Sequence, residues 1–102
     1  MSAERLPRAS EIAEAAEWLF GEPVHHTGTR VMGRRYFAKC VYWAALAQEG
    51  YSLREVARMV GADPHTVLNG LEHVDGSEHV EWVLDRAREI ANENDDASSL
   101  AL

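Results

Sequence analysis

Residues 51–74, YSLREVARMVGADPHTVLNGLEHV, constrain the fold more than any other stretch. Ser52 and Glu55 form an S-x-x-E pattern, in which each side chain caps the other residue's backbone N–H, so a helix is expected to start at Leu53. Leu53, Val56, Ala57 and Val60 recur at helical spacing and should face inward. Gly61 follows, where a left-handed backbone costs least. Asp63 suits the cap of a second helix, and Pro64 suits its first turn, where no N–H is needed. Val67, Leu71 and Val74 would pack that helix back on the domain. Two short helices joined by a tight turn make a helix-turn-helix, whose second helix, here about 63–74, ordinarily lies in the major groove of a duplex.

The rest of the chain reads as helix too. A first helix is expected from about Ser10, as its N-cap, to Phe20, stopped by Gly21, with Ile12, Ala15, Ala16 and Leu19 as its apolar stripe. Pro23, Gly28 and Gly33 mark a loop. A second helix runs from about Arg34 to Gln48, with Phe37, Cys40, Val41, Ala44 and Ala47 inward. A fifth, capped by Ser77, carries Val80, Val83, Leu84, Ala87, Ile90 and Ala91. Trp18, Trp43 and Trp82 sit among apolar residues on three helices and are expected in or near the core. The fold class is therefore all-α, a compact bundle of about five helices containing a helix-turn-helix. The domain spans residues 1–91, and 92–102 form an acidic, flexible tail.

A chain of 102 residues makes one domain with one modest core. The lone cysteine, Cys40, excludes an internal disulfide and suits a reducing compartment. No apolar run approaches the ~18 residues of a membrane span, and the first residues lack an apolar signal core, so a cytoplasmic location is expected. The formal net charge is −7, unusual for a partner of nucleic acid. Its distribution is uneven. Residues 1–22 carry −3, 23–48 carry +4 with no acid, 49–75 carry −3 and 76–102 carry −5. One cationic stretch can orient such a molecule toward a polyanion.

The pattern resembles the C-terminal DNA-binding domain of DnaA, the bacterial replication initiator (its domain IV), a Trp-repressor-like all-helical fold. The likeness covers roughly residues 10–91. Ile12 to Leu19 is similar to the family's opening I-x-x-x-A-x-x-[FY]. Arg34, Arg35 and Ala38 to Leu46 are similar to its basic loop and A-R-x-x-A-M-x-L helix. Ser52 to Gly61 parallels S-L-x-E-I-G-x-x-F-G-G. Against the family's R-D-H-[ST]-T-V-L-H-A, the chain keeps Asp63, Thr66, Val67 and Leu68. It carries Ala62, Pro64, His65, Asn69 and Gly70 at the remaining places. Those are base- and phosphate-reading positions, so binding to a standard DnaA box is not expected. The nucleotide-binding domain of an initiator is not seen. The resemblance implies a free-standing, divergent relative, such as a phage or mobile element would carry, acting as a monomer in replication or transcription regulation.

On this reading Asp63, His65, Thr66 and Asn69 are the candidates for contact with bases or adjoining phosphates, because short polar side chains and free N–H groups at a helix start suit both. Simple capping explains Asp63 and Thr66 equally well. Arg30, Arg34 and Arg35 are candidate phosphate contacts; the resemblance places such a loop at the backbone and adjacent minor groove. Cations at a helix start oppose the dipole, which weighs against a purely structural role. Lys39, Arg54 and Ser52 are further candidates, Ser52 being already explained by capping. The spacing of His25, His26, His65, His73, His79 and Cys40 fits no zinc signature, and no nucleophile–base pair or phosphate-cradling loop is present, so neither metal, cofactor nor enzymatic activity is expected. The rival expectation is a protein-interaction module on a DNA-binding scaffold. It would bind a host protein through the acidic fifth helix and tail.

Overall fold

A computed structural model describes residues 6–24 and 33–95 and the backbone of 96–100. Arg30 and the His25–His26 pair lie outside the described residues. Helix α2 (Arg34–Gln48) is the axis of the fold. It buries Ala38, Cys40, Val41, Tyr42, Trp43, Ala45 and Leu46, which point in nearly every direction around it, as a helix enclosed by others must. Helices α1 (Ala9–Phe20) and α5 (Glu78–Leu100) pack on α2 and on each other. Helices α3 (Leu53–Val60) and α4 (Pro64–His73) do the same on another side. Neither α3 nor α4 packs against α1 or α5. The described residues thus form an all-helical bundle of two helix pairs on a shared central helix, with one continuous apolar core. None of its helices is long and apolar enough to cross a membrane.

The local chemistry differs from the sequence expectation at the start of α1. Arg8, not Ser10, is the N-cap. Glu11 reaches back so that its Oε1 accepts the Arg8 N–H at 2.8 Å, half of a capping box, while the Glu11 N–H donates to the Arg8 backbone carbonyl at 3.0 Å. The same carboxylate is buried, and its Oε2 accepts Asn94 Nδ2 at 2.7 Å. That bond ties α5 to the start of α1 beyond the point where the sequence suggests its end. Helix α5 continues past Asn92 to Leu100. Gly21, with φ 68°, closes α1 in the left-handed conformation, its N–H bonded to the Glu17 carbonyl at 2.8 Å.

Helices α1 and α5 run antiparallel. Glu11 meets Asn94, Trp18 lies under Arg86, and Phe20 stacks on His79 at 5.7 Å. Trp18 and Trp82 are not core residues. They are 64% and 46% exposed, whereas Trp43 is 4% exposed. The inward arcs are already filled by Ile12, Ala15 and Ala16 on α1 and by Val83, Leu84 and Ala87 on α5. Of the expected inward residues, Leu19, Phe37, Ala44, Leu53, Val60 and Leu71 are only partly buried, packed on the edge of the core.

Candidate nucleic-acid interface

The α3–α4 unit is built from short-range chemistry. Ser52 Oγ accepts the Glu55 N–H at 3.1 Å, and Glu55 Oε1 accepts the Ser52 N–H at 2.9 Å. That backbone donor, followed by the Ser52 side chain, holds the Glu55 carboxyl below its usual range. A carboxyl lowered by folding stabilises the folded state above its unfolded pKa, and the contribution is lost as pH falls through the folded value. Ser52→Ala is expected to cost about 1 kcal/mol at neutral pH. Glu55→Gln should leave a protein whose urea midpoint approaches that of the parent as the pH drops into the carboxylate range.

Gly61, at φ 70°, ends α3 in the left-handed conformation, and the Gly61–Asp63 turn leads directly into α4. Asp63 Oδ1 accepts the His65 N–H at 2.8 Å, and Pro64 occupies the first turn. One oxygen of the exposed Asp63 carboxylate is thereby engaged as the cap of α4.

Helix α4 is held by a narrow seam. Val67 and Gly70 are buried and Leu71 is half-buried, while Pro64, His65, Thr66, Leu68, Asn69, Glu72 and His73 are all exposed. Gly70 makes the seam possible. A Cβ there would lie 2.6 and 2.7 Å from Cε3 and Cζ3 of Trp43 and 3.1 Å from Cys40 Sγ. The backbone of α4 therefore rests directly on the Cε3–Cζ3 edge of the indole. Burial pushes the Cys40 thiol above its usual range, partly offset by a hydrogen bond with Tyr36, as befits a small core residue. His65 and Asn69, four residues apart, align on the outward side of α4 with Glu72, and Thr66 flanks them.

The cationic segment is not where the sequence suggests. The His73 ring lies 5.3 Å from Tyr36 and 6.3 Å from Phe37, whereas Gly70 lies on Cys40 and Trp43. Helices α2 and α4 are thus antiparallel, and the start of α2 sits beside the end of α4. His65 is removed from that end by about 12 Å of helix. Arg34 is exposed there. Arg35 is half-buried, and its Nε donates to Glu22 Oε2 at 3.3 Å in an ion pair that occupies its charge. Lys39 is half-buried on α2, next to the Cys40 that underlies Gly70.

Helix α3, which leads into the turn before α4, carries two further cations. Arg54 and Arg58 are exposed and one helical turn apart, so they form a basic edge on the helix that leads into the turn. Arg58 lies outside the acid-free segment 23–48, and its i, i+4 spacing from Arg54 is the sequence signal for it. His65, Thr66 and Asn69 are thus exposed together on α4, Arg54 and Arg58 are exposed on the α3 that packs against it, and Arg34 and Arg35 lie at the far end of α4 from His65. No protein-family model matches the chain, and no curated protein or solved structure is similar to it.

Proposed function

We propose that the chain is a double-stranded DNA-binding module of the helix-turn-helix class, regulatory or replication-linked, with α4 as the helix that enters the major groove. The observation that carries this reading is the exposure of α4. Seven of its ten residues are exposed, and it is retained by one thin seam, so its outer side is free to sit between two phosphate ridges. His65, Thr66 and Asn69 would meet base edges, with Asn69 suited to adenine. Arg54 and Arg58 would hold phosphates on one side of the groove, with the exposed Arg34 at the far end of α4 reaching the other. Glu72 on the outer row sets a limit on how deeply the C-terminal half of α4 can approach, which favours docking by its first two turns.

Fluorescence anisotropy on a pool of random-sequence duplexes, followed by selection of the tightest, tests the reading. Selected duplexes should bind with Kd below ~10 µM at low salt. Arg54→Gln with Arg58→Gln should weaken all sequences alike and make the log–log salt slope shallower by about 2, since each phosphate contact contributes about −0.9. Asn69→Ala should instead flatten the preference at one base pair, worth about 1–3 kcal/mol. If no duplex binds below ~10 µM, DNA binding is the wrong function.

A further inference from the structure

The side of the molecule formed by α1 and α5 carries two large exposed indoles, Trp18 and Trp82. Arg86 lies between them. It follows Trp82 by one turn of α5, and its guanidinium carbon sits 4.8 Å from the centre of the Trp18 ring. Its Nη1 donates to Glu89 Oε2 at 2.9 Å and lies 3.7 Å from Glu93 Oε1, so its charge is already taken. The Arg86 Nε is buried without an acceptor, which marks the guanidinium as clamped between ring and carboxylates.

Carboxylates surround the pair. Glu89, Glu93 and Asp85 are 64%, 65% and 72% exposed at their side chains and share the outward stripe of α5 with Trp82. Arg86 offsets one charge of Glu89 and Glu93, and Arg88 pairs with Asp85 at 3.2 Å, so the acids still outnumber the cations. Glu14, also exposed, stands one turn before Trp18 on the same side of α1. Two exposed tryptophans in an acidic rim are a costly surface to leave in water and are the residue type that dominates binding hot spots.

The charge decides what can cover it. A second copy of the same face would set these acids against their own equivalents, and a nucleic acid would bring phosphates to them. We propose that the α1–α5 face docks a basic amphipathic segment of a partner protein, whose apolar side packs on Trp18 and Trp82 and whose lysines or arginines pair with the acidic rim. This face is built from α1 and α5 and uses no residue of α4, so the proposal stands apart from the DNA-binding reading.

The test uses a fluorescein-labelled Lys/Leu amphipathic helix of ~18 residues, about five turns, and a Glu/Leu peptide of the same pattern. The Lys/Leu peptide should bind with micromolar Kd at about 0.15 M salt, where long-range attraction is screened, and tryptophan emission should shift to the blue. The Glu/Leu peptide should not bind. Combining Trp18→Ala with Trp82→Ala should raise Kd at least ~10-fold with an unchanged circular dichroism spectrum, because both rings lie outside the core. Glu89→Lys with Glu93→Lys, at exposed positions, should raise it similarly and serves as an independent variant. Duplex binding should be the same in the tryptophan variant as in the parent. The proposal is overturned if the Lys/Leu peptide does not bind. It is equally overturned if the tryptophan variant binds it as well as the parent, which would mean unspecific charge attraction. Sedimentation showing a dimer dissolved by the tryptophan variant would overturn it in favour of a second copy.

Discussion

Gly70→Ala is expected to lower stability, by up to about 2 kcal/mol, although alanine is the better helix former by ~1 kcal/mol. The added methyl would stand 2.6 Å from Trp43 Cε3, and Trp43 is itself buried, so neither helix can yield without disturbing the core. Overpacking of this kind costs about 1–3 kcal/mol, which outweighs the gain in propensity. Urea unfolding followed by circular dichroism checks the value. A second step makes the cause specific. In a Trp43→Phe background, where the Cε3 and Cζ3 edge is gone, the same alanine should become neutral or stabilising. A change of sign, with a coupling above ~1 kcal/mol, would tie the effect to that one contact. If alanine instead stabilises the parent protein, α4 does not sit on that edge of the indole.

The second large effect is alkaline. Tyr42 is 2% exposed, and its phenol is pushed up to about 12, first by burial, then by the neighbouring Tyr51 and Glu17. In the unfolded chain the same phenol titrates near ~10. Below that pH both states are protonated and the full stability is present. As pH rises from ~10 towards ~12 the unfolded state ionises first, and stability should fall by up to about 1.4 kcal/mol per pH unit, close to 3 kcal/mol in all. Tyr36 is also raised, by its hydrogen bond with Cys40 and then by burial, and adds in the same direction. Urea midpoints measured across this range should therefore drop steeply in the parent and much less in Tyr42→Phe, whatever the variant's stability at neutral pH. A parallel decline in both proteins would place the ionising group elsewhere.

What the sequence discloses depends on how local the deciding interaction is. The α3–α4 unit was legible because Ser52 and Glu55 cap each other, Gly61 turns the chain and Asp63 caps its successor, all within a few residues. The helical identity of every element was legible for the same reason. The continuation of α5 was not, because the bond that holds Asn94 runs to Glu11 at the other end of the chain, and the acidic composition there suggests fraying. Nor was the exposure of Trp18 and Trp82. Helical spacing marks a residue as apolar and adjacent to a stripe, but smaller neighbours had already filled the inward arc. The candidate site was half legible. His65, Thr66 and Asn69 do share an outer surface with the turn, but the antiparallel passage of α2 and α4, fixed by the Gly70–Trp43 contact, carries Arg34 and Arg35 to the far end. No periodicity within one helix reveals the direction of the helix it crosses.

The shared central helix has a consequence for how such a chain can change. The outer row of α4 and the Trp18–Trp82 surface have no direct helix packing between them; they are linked through α2, whose interior side chains are almost all enclosed, and through the short 74–77 turn. The energetic effects of substitutions on the two should therefore add, and either exterior can be rewritten while the other is kept. If both proposed surfaces bind their partners, one spindle would let two unrelated specificities evolve on separate clocks.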